Sequence, residues 1–501
     1  MGLVIDHDGQ PQVLLRSTNS LPKEIAALRT QMTGDASDAE RYFLISRHLW
    51  RLQQPDESLR ALSKAVESFR IRAEARPKDG PLQAAYASAL QSRSNLVEAE
   101  KVLQNAVREA PDDWTCWVEL GQLLASQVQK SAFHLGAEIA TNALAGKTIS
   151  PAEIRSEIES LTNRWAEAGK CFDRAVAAAP KNSTPYMQRA VYRSAAELMA
   201  GLGKLFQDRA MRDEKRKLET LAESVSAPEI CADWATAARL SPTNSAIIAF
   251  WGFVEGMFAI KESGGLPLSA LPENRRKNVL EAIRMLENLT ESSDPVAAAS
   301  AWEFLGVIRF TATREPSQMK TAFRRTVELD PSRAQAWEGL MAAAMILGDA
   351  TELLSVCEER LKHEDTIRNR VFAVKACDRA KQDGKALEHA RAAVKLDGES
   401  LLARICLHAL LIRRSTSPRL EPELIEQHKK ILALVTALPK KAHDSDFVEL
   451  ASTALLNSSI VGILNGEPTE ARKQLNKLAQ SKGADDKVKE GAREVLVILG
   501  N

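Results

Sequence analysis

The sequence predicts an all-α fold, a solenoid of helical hairpins laid side by side. Three observations carry that prediction. In DDWTCWVELGQLLA (residues 112–125), Trp117, Leu120, Gly121 and Leu124 fall at i, i+3, i+4 and i+7, one face of an α-helix. The same face recurs at nearly regular intervals along the chain. Finally, 501 residues are too many for one core, since cores stop growing beyond about 250–300 residues.

Composition removes several function classes. Sixty-seven basic residues against 66 acidic leave a formal charge of +1, which gives no footprint for nucleic acid or an anionic membrane. The six cysteines stand singly, so neither a disulfide framework nor a zinc site is expected, and reduced thiols fit a cytoplasmic protein. MGLVIDHDGQ has no basic region or long apolar run, so no signal peptide is expected. Asp6 stands where myristoylation of Gly2 would need Ser or Thr. AIIAFWGFVEGMFAI (residues 246–260) is 15 residues long and holds Glu255. A bilayer needs about 20 apolar residues, so a buried helix is expected and no membrane contact.

Residues 1–36 form an N-terminal segment in which apolar runs flank Asp8-Gly9, a hairpin signal, followed by a helix. Residues 37–485 hold the repeats. Tyr42, Ile45, Ser58, Leu62 and Ala65 make an early unit. Ala99, Leu103, Ala106 and Pro111 are spaced A-x3-L-x2-A-x4-P, and the spacing returns in Ala168, Phe172, Ala175 and Pro180. Ile230, Trp234, Ala237 and Pro242 repeat it, as do Met319, Phe323, Thr326 and Pro331. Each proline ends a helix because it lacks a backbone donor and clashes with the preceding turn. A second signature follows each run: Trp117, Tyr186 with Ala190, Trp251-Gly252, Trp337 with Leu340. Trp302, Leu305 and Gly306 match Trp117, Leu120 and Gly121 in spacing.

Taken together these residues resemble the tetratricopeptide repeat, a helix–turn–helix of about 34 residues patterned W-x2-L-G-x2-Y…A-x3-F…P. The resemblance runs over residues 39–480 and implies a right-handed superhelix of about ten hairpins. Small residues let the paired helices approach, and Trp or Phe fills the gap to the next hairpin. One hairpin cannot bury its apolar face alone, so neighbours must stack. Insertions are expected near 126–164, 194–229 and 259–296, either as lengthened helices or degenerate repeats. KVKEGAREVLVILG, within 486–501, reads as a capping helix.

Several fragments imitate chemistry without completing it. LAGKT (144–148) lacks the earlier glycine and the strand of a phosphate loop. GLGKLF (201–206) has Phe206 where a dinucleotide fingerprint needs glycine. DHDGQ (6–10) lacks the remaining ligands of a calcium loop. The eight histidines form no HExxH pair. His363-Glu364-Asp365 and KLFQDRAMRDEKRK (204–217) read as solvated faces, the latter with an Asp213–Lys217 pair. Cys377 and His389 sit at packing positions. No catalytic residue, metal site or cofactor is expected.

The resemblance also implies a groove lined by first helices: Met187, Val191, Phe253, Met257, Glu303, Phe310, Glu338, Met345, Lys375, Arg379 and Arg413. It is apolar in the middle and basic near its end. The apolar members either line an open groove or pack against one another or against the N-terminal segment. The family members that grip acidic chaperone tails carry a Lys, Asn and Arg cluster; Phe43, Arg47 and Ala85 stand at its first positions here and argue against that clamp. The expected role is a non-catalytic cytoplasmic scaffold or adaptor for a protein or peptide. The alternatives are a regulatory subunit of a separate enzyme and a self-assembling structural protein.

Overall fold

A computed structural model describes residues 3–5, 11–13, 21–52, 54–144, 150–204, 211–223, 225–414, 422–437, 456, 459–461, 468–480 and 486–498. They divide into two compact units, Met1–Gly136 with Ser150–Ala336 and Ala137–Ile149 with Trp337–Asn501. The sheet among the described residues is an antiparallel pair, β1 (Leu3–Ile5) with β2 (Pro11–Val13), in the register Leu3 opposite Val13. Everything else regular is helical.

In the first unit α1 (Leu21–Thr30) leads into α2 (Ala39–Arg51), which pairs with α3 (Pro55–Ala75). Then α4 (Gly80–Ser92) pairs with α5 (Leu96–Glu109). The next hairpin is long: α6 (Trp114–Leu144) has 31 residues and α7 (Pro151–Ala178) has 28. α8 (Ser183–Ser194) packs on α11 (Ala227–Leu240), and between them the chain inserts α9 (Ala196–Lys204) and α10 (Arg212–Glu223). These two pair with each other, and α10 also touches α7. α12 (Ser245–Lys261) pairs with α13 (Glu273–Thr290), and α14 (Pro295–Thr313) with α15 (Pro316–Leu329).

The second unit carries α16 (Ala334–Ile346) from Trp337 onward, α17 (Ala350–His363), α18 (Ile367–Arg379), α19 (Asp383–Leu396), α20 (Leu401–Arg414) and α21 (Pro422–Ala437). From α17 to α21 each helix packs on the next in chain order, and α18 also packs on α20. α22 (Pro468–Ala479) pairs with α23 (Asp486–Ile498) through Leu475, Leu478 and Ala492.

The spacing read in the sequence appears as buried stripes. Ala99, Leu103 and Ala106 lie inside on α5, Ala168, Phe172 and Ala175 on α7, and Ile230, Trp234 and Ala237 on α11. Helix starts are fixed by side-chain caps, as Asp79 accepts from Leu82 N, Asn244 from Ile247 N, and Ser226 forms a capping box with Glu229. Each such cap satisfies an otherwise orphaned first-turn amide. α5, α7, α11 and α15 end two residues before Pro111, Pro180, Pro242 and Pro331.

Gly121 exists to admit Phe172. A Cβ there would stand 2.9 Å from Phe172 Cζ, and at Gly306 3.2 Å from Phe323 Cε2. Trp337 is 2% exposed and fills its gap as expected, whereas Trp117 and Tyr186 at the same position do something else. Trp117 is half-buried and its indole N–H donates to Pro111 O at 2.8 Å; Tyr186 Oη reaches Pro180 O at 3.3 Å. In these two hairpins the aromatic thus ties the turn left by the terminating proline. No helix among the described residues is long and apolar enough to cross a membrane.

Candidate partner-binding site

The first helices of three successive hairpins in the second unit keep a strict 34-residue repeat, the tetratricopeptide length. Glu338, Phe372 and Cys406 share one register position on α16, α18 and α20; Met345, Arg379 and Arg413 share another. On α18, Arg368, Phe372, Lys375 and Arg379 fall three and four residues apart, along one helical face. The Arg368 guanidinium and the Lys375 ammonium both stand over the Phe372 ring, each 5.9 Å from its centroid. That arrangement holds the two cations by the ring's negative face.

Neighbouring hairpins are stitched across this face. Arg368 donates to Glu338 Oε1 at 3.1 Å. Arg413 pairs with Asp378 and reaches Asp383 Oδ1 at 3.4 Å. Lys375 lies near Cys406, whose thiol burial pushes up to about 11 against the pull of that ammonium. Lys375 and Arg379 are exposed and form no ion pair among the described residues. Met345 is 45% exposed at the end of α16, followed by Ile346 and Leu347, also exposed. The surface therefore offers cationic donors beside an apolar thioether and a half-buried ring.

The groove residues of the first unit fare differently. Met187 is 1% exposed and packs with Trp234 and Ile247 between α8, α11 and α12, so it belongs to the core. Glu303 is buried too. It accepts from Arg333 Nη1 at 2.7 Å, while Arg333 Nε bonds Asp330 Oδ2 at 3.1 Å and Nη2 bonds Ser300 Oγ at 2.9 Å. Its carboxylate is consumed in a buried network rather than offered to a partner. Phe253 is half-buried, stacked on Phe304 at 4.6 Å, and Met257 packs into the same cluster of α12, α13 and α14. Phe310 is half-buried and Val191 exposed. The apolar stretch largely fills its own protein; the basic end stays open.

Residues that mimic chemistry find structural partners. Arg370 clasps Asp365 with two bonds of 2.6 Å and stands 3.1 Å from His389 Nδ1. Burial and the Arg370 charge hold the His389 imidazole below its usual pKa, while burial pushes the Cys377 thiol up to about 11. A thiol so protonated is a poor nucleophile. His363 tilts against Trp337, 5.8 Å between rings, and is not merely solvated. The described end of KLFQDRAMRDEKRK, from Met211 on, is also less open than its charges suggest, because Met211 and Glu214 are buried, as is Leu218 just beyond it. Residues 145–148 of LAGKT, 205–206 of GLGKLF and the DHDGQ stretch lie outside the described residues. No group of three or more metal-binding side chains occurs among the described residues. Arg47 lies over the ring of Phe43 at 5.8 Å on its own helix.

Hairpins ended by proline, closed by a Gly-to-aromatic contact and following one another along the chain, define a tetratricopeptide-like repeat protein. No family model and no curated protein matches the sequence. Among solved structures the chain is similar to yeast Tom70, at 12% identity over 96% of this chain and 92% of that one, with a TM-score of 0.30. It is also similar to a tetratricopeptide repeat protein from Parabacteroides merdae, at 13% identity over 66% and 98%, TM-score 0.32. A third is a Naa15/Naa10 structure bound to HypK-THB, at 12% identity over 96% and 85%, TM-score 0.33.

Proposed function

We propose that this chain is a non-catalytic scaffold or adaptor that holds a protein or peptide partner on the first-helix faces of its hairpins. The supporting observation is the ladder of Met345, Lys375, Arg379 and Arg413, all exposed, at repeating positions of successive hairpins. In the first unit Met187, Glu303, Phe253 and Met257 are spent on internal packing instead. Surfaces that repeat with the backbone and leave cations and apolar side chains together suit recognition of an extended or helical segment. Burial raises the pKa of the Cys116, Cys171 and Cys357 thiols to about 12, which supports packing rather than nucleophilic roles. The reading places the protein in the cytoplasm.

The test is affinity capture with the immobilised full chain at physiological salt, with captured proteins identified and then rebound as purified components. Direct binding of at least one purified partner, lost when the ladder is altered, is expected. No direct partner, together with a monomer by sedimentation at every concentration, overturns the scaffold reading. Concentration-dependent assembly without a partner moves the assignment to a self-assembling structural protein.

A second reading has its own observation. Phe133 is 70% exposed on the lengthened part of α6, where a large apolar side chain is costly unless something covers it. That favours a regulatory subunit whose enzyme docks on the α6–α7 extension.

A further inference from the structure

The loop between α12 and α13 encloses a pocket away from the first-helix ladder. Here the chain turns through Gly264 and Gly265, at φ of 70° and 71°, into a single 3-10 turn, Leu268–Ala270, which packs on α13 and α14. Two arginines fasten the loop. Arg314, left-handed at the end of α14, donates from Nη2 to Gly265 O at 3.0 Å, and Arg275 of α13 pairs with Glu262. Beside the loop lies an open cavity of about 350 Å³, near the lower end of the roughly 300–1,000 Å³ of small-molecule sites. Pro267, Leu268 and Ala312 give it apolar surface, and Arg276 and Glu315 bring it opposite charges.

Neither charge is spent within the protein. The Arg276 side chain makes no hydrogen bond or ion pair among the described residues. Glu315 accepts from Gln318 Nε2 and meets no cation among them. The two line one cavity without pairing with each other. Helix ends reinforce the polarity. Arg276 lies at the first turn of α13, whose N-cap residue Pro272 supplies no side-chain cap, and Ala312 and Thr313 close α14. A helix start favours an anion and a helix end a cation.

We infer that this pocket binds a free α-amino acid with an apolar side chain. Its carboxylate takes two parallel bonds from Arg276, its ammonium meets Glu315 and the end of α14, and its side chain lies against Pro267, Leu268 and Ala312. A simple carboxylate would leave Glu315 unanswered, and a simple amine would leave Arg276 so. A peptide parts its terminal charges by roughly 3.5 Å for each added residue, which a cavity this small does not suit. The assignment does not depend on whether a protein docks on the first-helix faces.

The experiment is isothermal titration calorimetry of the full chain with L-leucine, L-methionine and L-phenylalanine. Each is paired with two analogues, the amine lacking its carboxylate and the acid lacking its ammonium. At least one amino acid should bind saturably at one site, and both of its analogues about tenfold more weakly or worse. Arg276→Gln should abolish the preference over the amine, and Glu315→Gln the preference over the acid. A general loss of structure would not separate the two preferences in this way. Arg284→Gln, on α13 with a side chain 73% exposed, should leave binding unchanged, and circular dichroism confirms that each variant is folded. Absence of saturable binding by all three amino acids at millimolar concentration overturns the inference. So does an analogue that binds as tightly as its parent, binding that survives both pocket substitutions, or equal loss in Arg284→Gln.

Discussion

Single residues set the spacing of helices. Gly121 has no side chain because Phe172 of the paired helix occupies the place where a Cβ would stand, at 2.9 Å. Gly121→Val should therefore force the ring or the helix aside and destabilise by about 1–3 kcal/mol, read as a drop in thermal midpoint. This much was legible, since a glycine at the fourth place after Trp117 and an aromatic in A-x3-F are both written in the sequence. Glu303 was not. Its offset from Trp302 assigned it to a groove, and nothing local announces that Arg333, thirty residues on, buries a guanidinium against Glu303, Asp330 and Ser300. Both carboxylates and the Arg333 side chain are less than one-tenth exposed. Arg333→Met should leave two buried carboxylates unanswered and cost roughly 3–5 kcal/mol, seen in denaturant midpoint with the fold otherwise unchanged.

At the scale of elements, the inserted pair α9 and α10 shows what sequence length can and cannot tell. The surplus of residues between α8 and α11 is plain from the interval between repeat signatures. Its form is not, because KLFQDRAMRDEKRK looks like a solvated helix by charge count. Met211 and Leu218, seven apart, define its buried stripe, and Glu214 lies between them, 4% exposed. Arg155 of α7 supplies the counter-charge, Nε to Glu214 Oε1 at 2.9 Å. The other oxygen, Oε2, has no hydrogen-bond partner. The inserted pair thus packs on itself and touches α7 through α10, with the Arg155–Glu214 ion pair across that contact. Arg155→Ala should strand the buried carboxylate and loosen this pair locally. Faster amide hydrogen exchange is expected over residues 196–204 and 212–223, with protection of α14 and α15 unchanged. Uniform loss of protection throughout the first unit would show instead that the insertion is part of its cooperative core.

At the scale of the whole molecule, two groups push stability against pH in opposite directions, buried His408 and half-buried Glu119. A net charge of +1 conceals this. His408 on α20 is 1% exposed, and its Nε2 has no hydrogen-bond partner. Burial, with a smaller contribution from His428, lowers its pKa from 6.5 to about 4. The unfolded chain therefore takes up this proton first as pH falls. The stabilisation is complete above about 6.5 and is lost on the way down to about 4, amounting to roughly 2–3 kcal/mol. Glu119 on α6 acts in the opposite sense. Desolvation raises its pKa from 4.5 to about 7, so the fold holds the proton that the unfolded chain releases, and stability falls as pH rises between those values. Wild type should accordingly show a shallow dependence from pH 7 to 4.5, in which the two slopes partly cancel. His408→Leu should become more stable, relative to its own value at neutral pH, as the medium is acidified through this range. Glu119→Gln should show the reverse, a steeper acid loss than wild type. Thermal midpoints of the three proteins at a series of pH values decide it: parallel curves would mean that neither group carries its proton differently in the folded and unfolded chain.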